Sequence, residues 1–296
     1  MEWTECLRGA IAYMEKNLLE DIGPADVAEA VHISPFYLQH GFRMVTGYTL
    51  GEYLRCRRLY LAALDMLSGS GTVLEAAYKY GYDTPESFTK AFTRFHGLPP
   101  SRVRKNSRAI KPFLPLTVKI EIQGGNEMDY KIEKMDGFEL IGFIREFQHE
   151  TSYGKIPKFW DEVMALTSSS SRHETQNEVE KAIFDHKIGE FGACFQGFAE
   201  GRFFYMIGGI YKGGPVPLGM ATIHVPAADW AKFRCVGPLP GALQAVNTKV
   251  FSEWLPGNPD YEPSMPINLE WYSMDCCPDS SPNDYESGVW LPVRAK

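Results

Sequence analysis

The sequence predicts a multidomain chain: an N-terminal all-α domain of two tandem helix-turn-helix units, then a C-terminal α+β domain of two pseudo-symmetric β-α-β-β halves. Three observations predict it. A gap-free internal repeat at an offset of fifty fills the first third, positive charge is concentrated in that same third, and the order strand, helix, strand, strand occurs twice in the remainder. The 296 residues, 44% hydrophobic and 23% charged, suit about two domains and exclude disordered, collagen-like and coiled-coil classes.

The repeat sets Ser34-Pro35-Phe36-Tyr37-Leu38-Gln39-His40-Gly41-Phe42-Arg43-Met44-Val45-Thr46-Gly47 on Thr84-Pro85-Glu86-Ser87-Phe88-Thr89-Lys90-Ala91-Phe92-Thr93-Arg94-Phe95-His96-Gly97. Ser34 and Thr84 suit N-caps, Pro35 and Pro85 the first helical position, and Gly47 and Gly97 a left-handed C-cap, so each copy predicts a helix of about twelve residues. Leu38, Phe42 and Val45, and likewise Phe88, Phe92 and Phe95, form a core stripe. The other faces carry Phe36, Gln39, His40 and Arg43 in one copy and Glu86, Ser87, Lys90 and Arg94 in the other, mostly groups that reach base edges or phosphates. A short helix precedes each copy, over Pro24 to Val31 and Thr72 to Tyr80, with small Ala28 and Ala77 where the paired helices cross. Between the units Leu50 to Leu67 reads as one helix, about 27 Å long, near the ~34 Å between successive major-groove faces on one side of a duplex.

Charge points the same way. The formal net charge of -7 averages unlike parts: residues 1 to 38 carry net -5, residues 39 to 108 net +6, and residues 109 to 296 net -8. A segment holding Arg55, Arg57, Arg58, Lys90, Arg94, Arg102, Arg104 and Lys105 inside an acidic chain is the asymmetry expected of a face that meets phosphates.

On Ala28, Ser34-Pro35-x-Tyr37-Leu38, Phe42, Gly47, Tyr53, Arg57-Arg58-Leu59, Ala77, Gly81-Tyr82, Phe88-Thr89-Lys90-Ala91-Phe92, Phe95, Gly97, Pro100 and Arg104, residues 5 to 106 resemble the AraC/XylS-type DNA-binding domain. The resemblance implies seven helices, double-stranded promoter DNA as partner, and a DNA-facing set of Ser34, Phe36, Gln39, His40, Arg43, Glu86, Ser87, Lys90 and Arg94. Glu86 departs from the amide side chains common there. An acid near phosphates lowers non-specific affinity, so the first helix is the surer base reader.

The domains are expected at 1–108 and 129–296, with a linker over 109–128 whose alternating run, Leu116 to Ile122, suits one added strand. Beyond it strands are expected near 138–147, 188–197, 203–211, 220–236 (broken at Pro226), 267–275 and 287–293, with helices near 155–167 and 239–255. A cleft between the two halves is the natural ligand site. Aromatic residues are dense in this part, and Glu270 interrupts the apolar run Pro266-Ile267-Asn268-Leu269-Glu270-Trp271-Tyr272. Alternation puts Asn268, Glu270 and Tyr272 on one face. That face is either solvent-exposed or a carboxylate at the end of an aromatic cavity, suited to a cationic apolar molecule.

On Gly142-Phe143-x-Arg145, Phe159-Trp160, Phe204-Tyr205-x-x-Gly208, Val225-Pro226-Ala227-x-x-Trp230-Ala231-x-Phe233, Gly237-Pro238, Glu253-Trp254-Leu255-Pro256, Leu269-Glu270-x-Tyr272 and Trp290-Leu291-Pro292-Val293, residues 129 to 296 are similar to the GyrI-like effector-binding domain of the BmrR/Rob type. The resemblance implies a small cationic or aromatic effector, Glu270 as pocket acid, and Phe143, Trp160, Tyr205, Trp230 and Tyr272 as pocket walls. The chain is then a ligand-responsive transcriptional regulator, not an enzyme, with RNA polymerase as a further expected partner. An alternative use of the same glutamate is as general base in a small-molecule hydrolase.

Other chemistry finds no support. There is no phosphate-binding glycine loop; Gly208-Gly209 suit strand flexibility and Gly213-Gly214 a turn. His173-Glu174 lack a second histidine at helical spacing, so no metal is expected and no cofactor. Cys194 reads as a small core residue. The six cysteines form no C-x-x-C pair, the start lacks a basic or apolar leader, and no run approaches ~18 apolar residues, so a reduced cytoplasmic setting without membrane is expected.

Overall fold

The two copies of the repeat become α3 (Pro35–Thr46) and α6 (Pro85–His96), each the second member of a helix pair, after α2 (Pro24–Ala30) and α5 (Val73–Lys79) respectively. The computed structural model describes residues 3–69, 71–105, 109–118, 128–149, 151–169, 177–197, 201–274 and 282–296, and the chain divides into two units, Met1–Ile122 and Gln123–Lys296. In the first, α1 (Trp3–Lys16), the spine helix α4 (Leu50–Ser68) and a 3-10 turn, Pro100–Lys105, complete the set.

Local signals act largely as the sequence predicts. Gly47 and Gly97 close their helices at φ 76° and 78°, where a side chain would be strained. Ala28 and Ala77 are fully buried, which lets each pair cross closely. Thr84 accepts the Ser87 N–H at 3.2 Å as an N-cap should. Ser34 does not: its Oγ is buried and has no hydrogen-bond partner among the described residues. Leu38, Phe42, Phe88 and Phe92 form the core stripes, whereas Val45, in the last turn of α3, is exposed.

Helix α4 starts on a reciprocal cap, in which Thr49 and Glu52 satisfy each other's backbone N–H. Its first half packs Tyr53 against Phe42, and its second half puts Leu59, Ala62, Ala63 and Met66 in one core with Phe88 and Phe92. Two of its arginines are occupied internally and so are not phosphate ligands. Arg57 Nε and Nη2 donate to the two carboxylate oxygens of Glu15 at 2.7 and 2.8 Å, and Arg58 donates to the carbonyls of Leu18 and Glu20, both at 2.6 Å. Buried guanidinium donors must be satisfied, and these carbonyls and this carboxylate end α1 and its following turn. Arg104 Nε likewise donates to Met66 O at 3.1 Å, while its side chain stays exposed.

Part of the expected linker belongs to this unit. Ile110 packs on the second helix pair's core, and Phe113 O accepts from Arg57 Nη1 at 2.6 Å. Residues 116–118 form no strand, and the rest of the run expected there lies outside the described residues.

The second unit runs β1 (Tyr130–Met135), β2 (Phe138–Gln148), α7 (Ser152–Ser169), α8 (Glu178–Asp185), β3 (Phe191–Gln196), β4 (Arg202–Ile210), β5 (Ala221–Val225), β6 (Ala228–Val236), α9 (Gly241–Lys249), β7 (Tyr261–Pro263), β8 (Ile267–Tyr272) and β9 (Glu286–Ala295). The expected helix 239–255 is α9 continued by a π turn, Val250–Trp254. The nine strands form one antiparallel sheet of order β1-β6-β9-β8-β3-β4-β2-β5, with β7 added on β9. That order reads alike from both ends, so the halves are β2-α7-β3-β4 and β6-α9-β8-β9. They are tied by exchange: β1 pairs with β6 and β5 with β2. The expected long strand 220–236 is two strands because Pro226 has no N–H to give a ladder.

Both main helices cover the same face. Phe159 of α7 packs on Phe147 at 5.9 Å, and Trp254 after α9 packs on Phe233 at 5.0 Å. The opposite face carries a core of Leu140, Phe191, Ala193, Met206, Trp230 and Leu269 among others. Gly209 serves close approach here, not the flexibility expected of it, since a Cβ would collide with the carbonyl of His186.

Arg57→Ala leaves the largely buried Glu15 carboxylate with the Tyr53 hydroxyl as its remaining donor and takes the donor from the Phe113 carbonyl. It is expected to destabilise the helical unit by roughly 2–4 kcal/mol, read as an earlier loss of helical circular dichroism in urea unfolding of the full chain. An unchanged midpoint would assign the pair no structural weight.

Candidate functional site

The pairing of β3 with β8 is the middle of the sheet, and Glu270 lies in it directly opposite Gly192. The register continues Glu270 to Val289 and Phe233 on one side and to Ile207 and Phe143 on the other, so all of these share the helix-covered face. Because Gly192 has no side chain, the Tyr205 ring from β4 reaches across it; a Cβ there would meet the Tyr205 hydroxyl and would stand 2.8 Å from Glu270 Oε2. The Tyr205 O–H donates to Glu270 Oε2, and the Tyr272 O–H donates to the same oxygen at 2.9 Å. Trp160 of α7 donates its Nε1–H to the Tyr205 hydroxyl at 3.1 Å and lies edge-on to Tyr272, ring centres 4.9 Å apart.

One carboxylate oxygen thus holds two phenols, while among the described residues Oε1 accepts from no donor and no ammonium or guanidinium pairs with the group. Burial raises the Glu270 pKa above its ordinary value, and the two phenol hydrogen bonds oppose the rise. Burial and the carboxylate push both phenols well up, so they remain donors. Cys194, also on this face, is buried, and burial with the nearby Glu270 raises its thiol well above the ordinary value. A thiol held protonated is no nucleophile.

Of the expected pocket walls, the structure brings Trp160, Tyr205 and Tyr272 to Glu270. Trp230 is elsewhere: it pairs in register with Pro292, one residue from the Phe233 and Val289 parity, and is fully buried in the core of the other face. It supports the sheet from the face opposite Glu270. Phe143 shares the face and the row but stands three strands from Glu270, about 14 Å at ordinary strand spacing. Gly192 was missed by sequence reasoning; the small residues Gly192 and Cys194 at alternate positions of β3 were the available signal.

The two DNA-reading helices differ. On α6, Glu86, Ser87, Lys90 and Arg94 are exposed on one face beside the buried Phe88 and Phe92. On α3, Phe36 and Gln39 are buried, with 2% and 8% exposure, and Ser34, His40 and Arg43 are half-buried. Phe36 stacks on His40, ring planes within 7°, and meets Tyr37 edge-on, so its ring is used in packing. Burial and the Arg43 charge lower the His40 pKa to about 4, which leaves a neutral imidazole. Of the expected DNA-facing set, the members on the second helix are thus more open than those on the first, where Phe36 and Gln39 are buried. Among the described residues no group of three or more potential ligands could hold a metal ion, and no helix is long and apolar enough to cross a membrane. His173 and Glu174 lie outside the described residues.

Comparison with known proteins covers both units. Residues 27–106 match a helix-turn-helix domain, and residues 128–294 match the GyrI-like small molecule binding domain. The chain is similar to the Transposon Tn10 TetD protein of Escherichia coli, 36% identical over 35% of this chain and 75% of that protein. It is similar also to the HTH-type transcriptional activator AarP of Providencia stuartii, 32% identical over 37% of this chain and 82% of that protein. The right origin-binding protein of Escherichia coli K12 is 26% identical over 55% of this chain and 58% of its own length.

The raised pKa has a stability consequence. Between the ordinary glutamate value and the raised one the folded chain holds more protons than the unfolded chain, so stability falls as pH rises through that range. Glu270→Gln removes the ionisation. Thermal unfolding is expected to show variant and wild type alike near pH 4 and the variant melting higher near pH 7. Parallel curves across this range would mean that Glu270 ionises as freely in the fold as in water.

Proposed function

The chain belongs to the GyrI-like small molecule binding domain family and carries an AraC-type helix-turn-helix domain; it is a ligand-sensing transcriptional regulator, and we propose that its effector is a small aromatic cation held by Glu270. The observation that carries this reading is the carboxylate with one oxygen uncommitted, no cation partner among the described residues, and aromatic rings of Trp160, Tyr205 and Tyr272 around it. A cation brought there neutralises a charge that burial disfavours and lies against ring faces, each contact contributing ~0.5–2 kcal/mol. Binding then displaces the Glu270 proton wherever the empty site holds one, so affinity rises with pH through the same range.

For DNA we assign the main contacts to α6. Ser87 and Glu86 are placed for base edges and Lys90 and Arg94 for phosphates, with Arg43 of α3 as a supplementary contact. The relatives named above as transcriptional activator and origin-binding protein support DNA as the partner.

Crystal violet, an aromatic monocation, serves as probe. It is expected to raise the melting temperature of the full chain, with affinity at least about tenfold weaker in Glu270→Gln and increasing with pH in the wild type only. Equal affinity in the variant removes Glu270 from the site, and faster decay of the dye than in buffer would favour the hydrolase alternative. Lys90→Ala and Arg94→Ala are each expected to weaken DNA binding and to reduce its salt dependence by about one ion. An effect of Arg43→Ala alone would return the reading to α3.

A further inference from the structure

Residues 110–116 leave the second helix pair and pass along α4 toward the first, and Phe113 at their centre touches both pairs. Its ring meets Phe95 of α6 at 6.1 Å and Tyr48, which follows α3, at 5.3 Å, with Tyr53 of α4 between them at 5.9 Å. The backbone of the segment is fixed at three places. Lys111 N–H donates to His96 Nδ1 at 3.1 Å, so the neutral ring donates Nε2–H to Leu59 O, also at 3.1 Å. Phe113 O accepts from Arg57 at 2.6 Å, and Leu116 N–H donates to the Tyr53 hydroxyl at 3.4 Å. Tyr53 and Arg57 are themselves fixed by Glu15 of α1.

We propose that residues 110–116 are a strap that sets the relative orientation of the two DNA-reading helix pairs, with Phe113 as the positioning residue. The proposal rests on the reading that both pairs engage DNA. Each pair packs on its own stretch of α4, the first on Tyr53 and the second on Leu59 to Met66, so a roll of either about that helix changes the distance and phase between α3 and α6. A ring wedged between Tyr48 and Phe95 opposes such a roll. Hydrogen bonds between the segment's backbone and the side chains of His96, Arg57 and Tyr53 hold the ring there. Two elements on one duplex are bound as a unit only when their separation matches that of the two readers, so the strap acts on spacing specificity and not on either half-site.

The test uses the full chain to select its site from a random duplex pool, then measures binding to the intact site, to each half with the other scrambled, and to the site with one base pair inserted between halves. Wild type is expected to lose about tenfold on the insertion; Phe113→Ala is expected to lose about tenfold on the intact site, to keep half-site affinity within about twofold, and to be nearly indifferent to the insertion. Phe113→Leu, which keeps apolar volume without the ring edges, gives intermediate spacing dependence and covers the case of a poorly folded alanine variant. Equal losses on intact and half sites, or wild-type spacing dependence in both variants, would overturn the strap. A selected site with a single element would instead overturn the two-pair reading, and the strap with it.

Discussion

The pairing of β3 with β8 is the contact on which the second unit depends. It is the one ladder that joins the two halves at their centre, and the strand exchange that places β1 and β5 on opposite halves encloses it from both ends. A carboxylate in this ladder is therefore held by backbone geometry that neither half could supply alone. The hydrogen bonds then act locally. Gly192 leaves a hollow, Tyr205 fills it from the next strand, and Glu270 becomes a half-buried acid held in place by two phenols. Pre-positioning of this kind lowers the ordering that binding must otherwise impose.

In the first unit the corresponding element is α4, and its arginines show how charge in a sequence divides between two uses. Arg57 and Arg58 sit among carbonyls and a carboxylate and hold α1 and the exit segment to the spine, whereas Lys90 and Arg94 remain exposed on α6. The basic excess of this segment is real, but a smaller share of it is available to phosphates than the total suggests.

Much of this was legible beforehand. The repeat, its glycine caps and its buried phenylalanines were local signals, and local signals survive folding because they act over one or two turns. Glu270 was legible because an acid in an apolar strand needs an explanation. What failed depended on partners far away in the chain. Nothing within a few residues of Arg57 indicates Glu15 or the carbonyl of Phe113, and Phe36 and Gln39 have the composition of a reading face yet are buried. Trp230 was misplaced because the resemblance that named it carried no strand register, and a difference of one residue puts a side chain on the other face. The short strands β1 and β7 lack enough alternation to be seen, and their existence follows from pairing with β6 and β9.

The chemistry of Glu270 also bears on the breadth of recognition. A site built from donor groups arranged about a particular ligand rejects analogues strongly, because each missing partner strands a buried polar group. Here the polar groups around the carboxylate already satisfy one another: Trp160 donates to Tyr205, and both tyrosines donate to one oxygen of Glu270. On the reading proposed above, the demand left for a ligand is a positive charge near the other oxygen and surface that tolerates aromatic walls, which many molecules meet. Discrimination by shape is then weak and discrimination by charge strong. Whatever binds can bias DNA reading only by the difference in its affinity for two states of the chain, so the charge term, the largest that varies with the ligand, is also the one that limits the size of the response.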